Sequence, residues 1–177
     1  RYDTIHHPVI GEDGMVSSQR MLASEIGAQI LAQGGNAIDA AVATGIALAV
    51  ALPRAGNLGG GGFMLAYIAE EDKTIAIDYR EMAPKKAHRD MFLDKDGNVD
   101  NKKARFSHLS SGVPGTVAGL SYALEKYGTM SWKQVVTPAI KLAEQGILVS
   151  YDLSENLKSR KAWLTSNKAT AEAYFKA

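Results

Sequence analysis

Arg80 is the residue of this sequence whose type and position most directly suggest a binding site. It closes an apolar run, residues 74–80, in which alternate side chains would share one face of a strand. The flat guanidinium fork can bind a carboxylate through two parallel hydrogen bonds. Two neighbouring carboxylates, Asp78 and Glu81, could instead hold the arginine in an ion pair that only stabilises the fold. The spacing alone leaves both interpretations open.

A run of glycines between residues 56 and 62 invites a test for phosphate binding. A Walker loop continues with lysine and then serine or threonine after its glycines, whereas Phe63 follows Gly62. The dinucleotide-binding pattern requires glycines at relative positions one, three and six, and no choice among these glycines meets that requirement. We therefore expect either close packing of this backbone against another element or the floor of a buried site.

Metal ligands and nucleophiles are not assembled by any spacing in the sequence. Four side chains at alternate positions resemble the beginning of a calcium loop: Asp94, Asp96, Asn98 and Asp100. The twelfth position of that loop would be Arg105 instead of a glutamate, so we expect an exposed turn. The histidines lack a metal-ligand spacing, and the serines lack the elbow pattern of serine hydrolases. We expect no metal and no cofactor.

Composition limits the class of protein. The 177 residues carry a net charge of +1, which offers no electrostatic basis for binding nucleic acid or a membrane surface. Cysteine is absent, which excludes disulfides, thiolate zinc sites and cysteine catalysis. The most apolar stretch, residues 37–52, is short for a bilayer span and contains Asp39. A helix that is apolar on every side is expected to be buried between layers of a larger protein.

The elements that would position Arg80 are two helices followed by a β-hairpin. Apolar residues at helical spacing predict a helix over residues 18–33, which two glycines end. Asn36 can cap a second helix, which Pro53 ends. The apolar runs 63–69 and 74–80 predict a buried strand and its partner, joined by a polar turn.

The second half of the chain is predicted to be helical after a long loop, residues 82–111. A helix follows Gly115, Ser131 and Gln134 have the spacing of a capping box, and Pro138 is expected to begin a further helix. A lysine-rich amphipathic tail follows residue 150. The order of elements predicts helices stacked on a sheet, an α+β fold, in one segment 1–177 without an internal boundary.

Four ordered motifs together resemble a known family: GGNAIDAA at 34–41, GNLGGGGFM at 56–64, DYREMAP at 78–84 and GVPGTV at 112–117. The sequence is similar to the large subunit of bacterial γ-glutamyltranspeptidases, over nearly the whole chain and most weakly after about residue 150. The resemblance implies an N-terminal nucleophile hydrolase, an αββα sandwich of which this chain would be an incomplete portion. It also implies a periplasmic or secreted location, with a signal peptide absent from this chain.

In that family a precursor cuts itself into a large and a small subunit. The threonine that begins the small subunit attacks the γ-glutamyl amide of glutathione or a related compound, and the acyl group passes to water or to an amino acid or peptide amine. The partners implied for this chain are therefore the remainder of the large subunit, the small subunit and a small-molecule substrate. Nucleic acid and a membrane span are not expected.

Arg80 is the one residue onto which the resemblance carries a substrate contact, because it matches the arginine that clamps the substrate's α-carboxylate. Asp78 and Glu81 would then hold that arginine in place. No catalytic residue is expected in this chain, since residue 1 is Arg1 and the threonines are internal, so the chain by itself is expected to be inactive. Two alternatives remain: a related acylase of the cephalosporin or poly-γ-glutamate type, and a non-catalytic binding module.

Overall fold

The computed structural model describes residues 10–175. The α-helices and strands in these residues are α1 (Met21–Ala32), α2 (Ala37–Ala51), β1 (Phe63–Ile68), β2 (Lys73–Asp78), α3 (Asn101–Phe106), α4 (Thr116–Tyr127), α5 (Trp132–Gln145), α6 (Tyr151–Leu164) and α7 (Lys168–Tyr174). Contacts divide the chain into two compact units, Arg1–Glu144 and Gln145–Ala177. Compact units need not be separate domains, so the single segment 1–177 stays a prediction.

Helices α1 and α2 pack against each other and supply much of the core of the first unit. Gly34, with φ of +90°, provides the left-handed backbone that follows α1. Gly27 lets the helices approach closely, because a Cβ there would overlap Thr44 Oγ1. Helix α2 buries residues on most of its circumference: Ile38, Asp39, Ala40, Val42, Ala43, Thr44, Ile46, Ala47 and Ala51. Both predicted helices are confirmed apart from small differences at their ends.

Strands β1 and β2 form an antiparallel hairpin in which Phe63 pairs with Asp78 and Ile68 with Lys73. One face of β1 packs against the helical core through Met64 and Ala66. The other face is exposed, with Leu65 keeping 76% of its accessible surface. The prediction that this run is a buried strand is therefore wrong for one face, because neighbouring helices cover only the alternate residues that point toward them.

Strand β2 ends at Asp78, two residues before the predicted end at Arg80. The physical reason is a local hydrogen bond: the backbone N–H of Arg80 donates to Asp78 Oδ1 at 3.0 Å and not to a strand partner. Ile75 is buried, whereas Asp78 and Arg80 are exposed, as the alternation predicted. Arg80 thus lies in the connection just beyond the hairpin.

Helix α4 packs on α2 and contacts β2, and α5 follows it with Val135 and Ala139 in the core. The prediction that Pro138 begins a helix is wrong, since Pro138 lies inside α5. The predicted capping box is present nearly two turns before Pro138, where Ser131 N donates to Gln134 Oε1 at 3.0 Å and Gln134 N donates to Ser131 Oγ at 3.4 Å. The capping box begins α5 before Pro138. The proline within the helix removes one backbone donor but does not end the helix.

The predicted loop 82–111 contains the short helix α3, capped by Asp100, which accepts from Lys103 N at 2.9 Å. In the second unit, Ser150 caps α6 and Asn167 caps α7. Among the helices within residues 10–175, none combines the length and the apolar character that a membrane crossing requires.

Candidate functional site

Three segments that are distant in sequence meet around Arg80. We call them the glycine run (residues 56–62), the Arg80 segment (residues 79–82) and the α4 entry loop (residues 112–116). The Arg80 segment is held at one end by Tyr79 N, which donates to Gly62 O at 3.0 Å. At its other end Met82 and Val113 exchange backbone hydrogen bonds of 2.8 and 3.4 Å. Three of the four sequence motifs therefore build one site.

Glycines allow these backbones to lie in direct contact. A Cβ at Gly61 would overlap the backbone nitrogen and carboxylate of Glu81, and a Cβ at Gly115 would overlap the Tyr79 carbonyl. Gly112 is close to the Glu81 side chain, with 3.0 Å from its ideal Cβ position to Glu81 Cβ. Of the two interpretations of the glycine run, close backbone packing is what the structure shows.

Asn57 and Thr116 fasten the glycine run to the α4 entry loop. Asn57 Oδ1 accepts from Gly60 N at 2.9 Å and from Thr116 Oγ1 at 2.6 Å. The carbonyl of Gly60 in turn accepts from Gly115 N at 2.7 Å and from Thr116 N at 2.9 Å. Sequence reasoning did not assign a role to either side chain. Their positions inside two of the recognised motifs were the available signal.

The Arg80 side chain is exposed and makes no hydrogen bond or ion pair within residues 10–175. Asp78 contacts the Arg80 backbone instead of its guanidinium, and Glu81 packs against Gly61 and Gly112. The ion pair that would have made Arg80 purely structural is therefore absent from the described part of the chain. The guanidinium keeps its donors available for a carboxylate.

Arg80 borders an open groove of about 410 Å³. The groove is lined mainly by apolar or small side chains: Ile77, Asp78, Tyr79, Met82, Val113, Pro114, Gly115, Ala118, Gly119 and Tyr122. Burial raises the pKa of the half-buried Tyr79 hydroxyl above its ordinary value, so this tyrosine is neutral near pH 7. A cation beside a mostly apolar groove is suited to a ligand that carries a carboxylate on a short apolar chain.

Asp39 belongs to the fourth motif, residues 34–41. It is buried and accepts a set of hydrogen bonds that we call the Asp39 clasp. Its carboxylate accepts from Thr129 Oγ1 at 2.6 Å, from Asn36 N at 2.8 Å and from both Thr129 N and Met130 N at 3.0 Å. Burial acts to raise the pKa of Asp39, but these hydrogen bonds outweigh it, Thr129 Oγ1 first, and hold the pKa below its ordinary value. The clasp ties the beginning of α2 to the connection after α4.

The remaining candidates do not form a site in the part of the chain that the structure describes. Asp94 Oδ1 accepts from Asp96 N and Asn98 N, each at 2.9 Å, so the exposed turn predicted there is confirmed. No group of three or more histidine and carboxylate side chains within residues 10–175 could hold a metal ion. His6 and His7 lie outside the described residues.

Comparisons with known proteins identify a family model and relatives that match this chain. The family model described as gamma-glutamyltranspeptidase matches residues 23–177. The glutathione hydrolase proenzyme of Escherichia coli K12 is 54% identical over 98% of this chain, which covers 30% of that protein. The chain thus spans about a third of the length of this curated relative.

Solved structures agree with the sequence comparison. The γ-glutamyltranspeptidase of Helicobacter pylori superposes with a TM-score of 0.91 at 48% identity, over 96% of this chain and 48% of that one. The transpeptidase enzyme CapD of Bacillus anthracis superposes with a TM-score of 0.68 at 34% identity, over 86% of this chain and 46% of that one.

Proposed function

This chain belongs to the γ-glutamyltranspeptidase family, and on that premise we propose that Arg80 binds the α-carboxylate of a γ-glutamyl substrate. The chain has part of the α+β fold of N-terminal nucleophile hydrolases. The proposed enzyme cleaves γ-glutamyl amide bonds, as in glutathione, and transfers the γ-glutamyl group to water or to an amino acid or peptide. The observation that carries the proposal is the exposed guanidinium beside the groove, which has no hydrogen-bond or ion-pair partner within residues 10–175.

The chemistry of the ligand matches the groove in two respects. A γ-glutamyl group carries its α-carboxylate at the end of a short methylene chain, and the guanidinium fork can bind that carboxylate through two parallel hydrogen bonds. The mostly apolar lining offers contact to the methylenes. Because the Arg80 segment is fixed at both ends by backbone hydrogen bonds, the arginine needs little reorganisation of its backbone when substrate binds.

The nucleophile is proposed to come from elsewhere in a two-subunit enzyme. Thr129 and Thr137 are joined to the chain on both sides, so neither offers the free α-amine that an N-terminal threonine uses as its base. In the proposed reaction a threonine hydroxyl attacks the amide carbonyl, the amine leaves with a proton, and water or a second amine then cleaves the ester. Relatives named as proenzymes support a processed precursor.

The complete enzyme is proposed to act in the periplasm or outside the cell. In this scheme the 177-residue chain contributes substrate binding, and the small subunit contributes the reacting threonine. These residues alone are therefore proposed to be inactive. Amide cleavage through an ester requires no cofactor, so none is part of the scheme.

The test is Arg80→Ala in the complete enzyme, with γ-glutamyl-p-nitroanilide as substrate. Losing hydrogen bonds to a charged group costs about 1.5–3 kcal/mol, so KM should rise by roughly 10- to 150-fold. Self-cleavage of the precursor should persist. Arg89→Ala is the matched control, because Arg89 is an arginine whose side chain is 97% exposed. An unchanged KM in Arg80→Ala would remove the assignment.

A further inference from the structure

The position of Tyr79 raises the question of what directs the Arg80 side chain. Within residues 10–175 no side chain binds the guanidinium, so its direction depends on the backbone from which it emerges. The residue before it, Tyr79, is the half-buried aromatic residue of the Arg80 segment. Asp78 and Glu81, on either side, are both exposed.

The Tyr79 ring lies between the glycine run and α4, with a glycine at each end of the ring. At its base, a Cβ on Gly119 would overlap Tyr79 Cβ and Cγ. At its tip, a Cβ on Gly62 would lie 2.8 Å from Tyr79 Cε2 and 3.0 Å from its hydroxyl oxygen. Both distances are below normal van der Waals contact, so a side chain at either glycine would require the ring to move.

The backbone of Tyr79 is held as closely as its ring. Its N–H donates to Gly62 O at 3.0 Å, and its carbonyl lies against Gly115, where a Cβ would overlap it. The ring and both peptide groups of this one residue are thus in contact with three glycines: Gly62 of the glycine run, Gly115 of the α4 entry loop and Gly119 of α4. The next residue along the chain is Arg80, whose side chain is exposed.

We infer that Tyr79 is a positioning residue for α-carboxylate recognition, whose ring, seated between Gly62 and Gly119, fixes the direction of the Arg80 side chain. The inference rests on the proposed role of Arg80 and extends it to a residue that has no charge. The ring provides this effect by its size and flat shape. The hydroxyl is not required, because it makes no hydrogen bond within the described residues.

The experiment compares two inhibitors that differ only by the α-carboxylate. In the complete enzyme, L-glutamate and 4-aminobutyrate compete with γ-glutamyl-p-nitroanilide, and the ratio of their inhibition constants defines the carboxylate preference. A ratio is independent of the folded fraction of a variant. Tyr79→Leu and Gly119→Ala should each lower the preference by about fivefold or more, since a displacement of the order of 1 Å weakens oriented contacts strongly.

Two variants serve as controls for the shape of the ring and for glycine replacement. Tyr79→Phe keeps the ring and should restore the preference that Tyr79→Leu loses. Gly59→Ala replaces a glycine of the same run whose Cβ would meet nothing within 4 Å, and it should keep the wild-type preference. If Tyr79→Leu and Gly119→Ala weaken the binding of both inhibitors equally, or leave the carboxylate preference unchanged, the inference is overturned. Loss of the preference in Tyr79→Phe would overturn it as well.

The reference variant Arg80→Ala separates this inference from the proposed function. If Arg80→Ala abolishes the preference while Tyr79→Leu and Gly119→Ala retain it, Tyr79 has no positioning role and the role of Arg80 stands. If Arg80→Ala itself retains the preference, the proposed function is wrong, and the inference built on it fails with it.

Discussion

Asp78 Oδ1 accepts a hydrogen bond from the backbone nitrogen of Arg80 at 3.0 Å, while the Asp78 carboxylate forms no ion pair with the Arg80 guanidinium in the described part of the chain. The two residues therefore interact through the backbone of one and the side chain of the other. This arrangement shapes the end of β2 and leaves the cation available. A carboxylate bound to the guanidinium would have competed with a substrate carboxylate.

Asp78 should consequently affect substrate affinity through a hydrogen bond that an uncharged acceptor can replace. Asp78→Ala removes the acceptor for Arg80 N, and KM for γ-glutamyl-p-nitroanilide should rise by a factor of about 3 to 10, corresponding to a hydrogen bond of about 1 kcal/mol. Asp78→Asn retains a side-chain oxygen and should stay within about twofold of the wild type. Steady-state kinetics of the two variants provide the measurement.

The comparison between those two substitutions decides which property of Asp78 matters. A large rise in KM for Asp78→Asn would show that the negative charge acts on the guanidinium, contrary to the geometry. Equal, wild-type kinetics in both variants would show that the hydrogen bond has no influence on Arg80.

Asp39 should be essential for stability and not for substrate binding. Asp39→Ala leaves the backbone donors of Asn36, Thr129 and Met130 without their buried acceptor, and it should lower the free energy of unfolding by about 3 kcal/mol. Urea denaturation followed by circular dichroism measures the loss. Asp96→Ala, at an exposed turn position, is the control and should change stability by less than about 0.5 kcal/mol. Similar losses in both variants would rule out a special role for the clasp.

The same clasp predicts a pH dependence with a definite sign. The pKa of Asp39 in the folded state lies below its ordinary value of 3.8, so the folded state favours the ionised carboxylate. Its contribution to stability is complete above the ordinary value and is lost as the pH falls through the folded-state pKa. The difference in unfolding free energy between wild type and Asp39→Asn should be constant from about pH 7 to pH 5 and shrink toward about pH 3.

Using a difference between two proteins removes the contribution of the other carboxylates, which titrate in the same range. A wild-type advantage that grows as the pH falls would mean that the folded-state pKa of Asp39 is raised and not lowered.

The sequence was sufficient for the elements whose cause is local. Spacing and caps predicted α1 and α2, with Asn36 as the cap, and alternation predicted which side of β2 faces the core. The exposed face of β1 could not be predicted. A continuous apolar run has the same sequence pattern whether a neighbouring element covers both faces of the strand or only one. The prediction for Pro138 was wrong because the capping box at Ser131 and Gln134 begins α5 nearly two turns earlier.

Only some features of the candidate site could be inferred from the sequence. Arg80 was singled out from its chemistry, but the placement of its segment depends on the meeting of three segments that are distant in sequence. That Asp78 binds the backbone of Arg80 is a matter of side-chain direction, which residue spacing does not determine. The roles of Asn57 and Thr116 depend on a hydrogen bond between residues 59 positions apart, so no local pattern could reveal them.

The 177-residue chain alone should show no turnover of γ-glutamyl-p-nitroanilide, because it contains the arginine proposed to bind substrate but not the threonine proposed to react. Release of p-nitroaniline at high protein concentration is the measurement, with the complete enzyme as positive control. Turnover by the chain alone that Arg80→Ala reduces would show that a nucleophile within these residues had been overlooked.

The central claim is that Arg80 recognises the α-carboxylate, and the carboxylate preference of the complete enzyme tests it most directly. The wild type should bind L-glutamate at least about tenfold more tightly than 4-aminobutyrate, in line with about 1.5 kcal/mol or more for hydrogen bonds to a charged group. Arg80→Ala should bring the ratio of the two inhibition constants close to one, while Arg89→Ala should leave it as in the wild type. An Arg80→Ala enzyme that still prefers L-glutamate as strongly as the wild type would contradict the account.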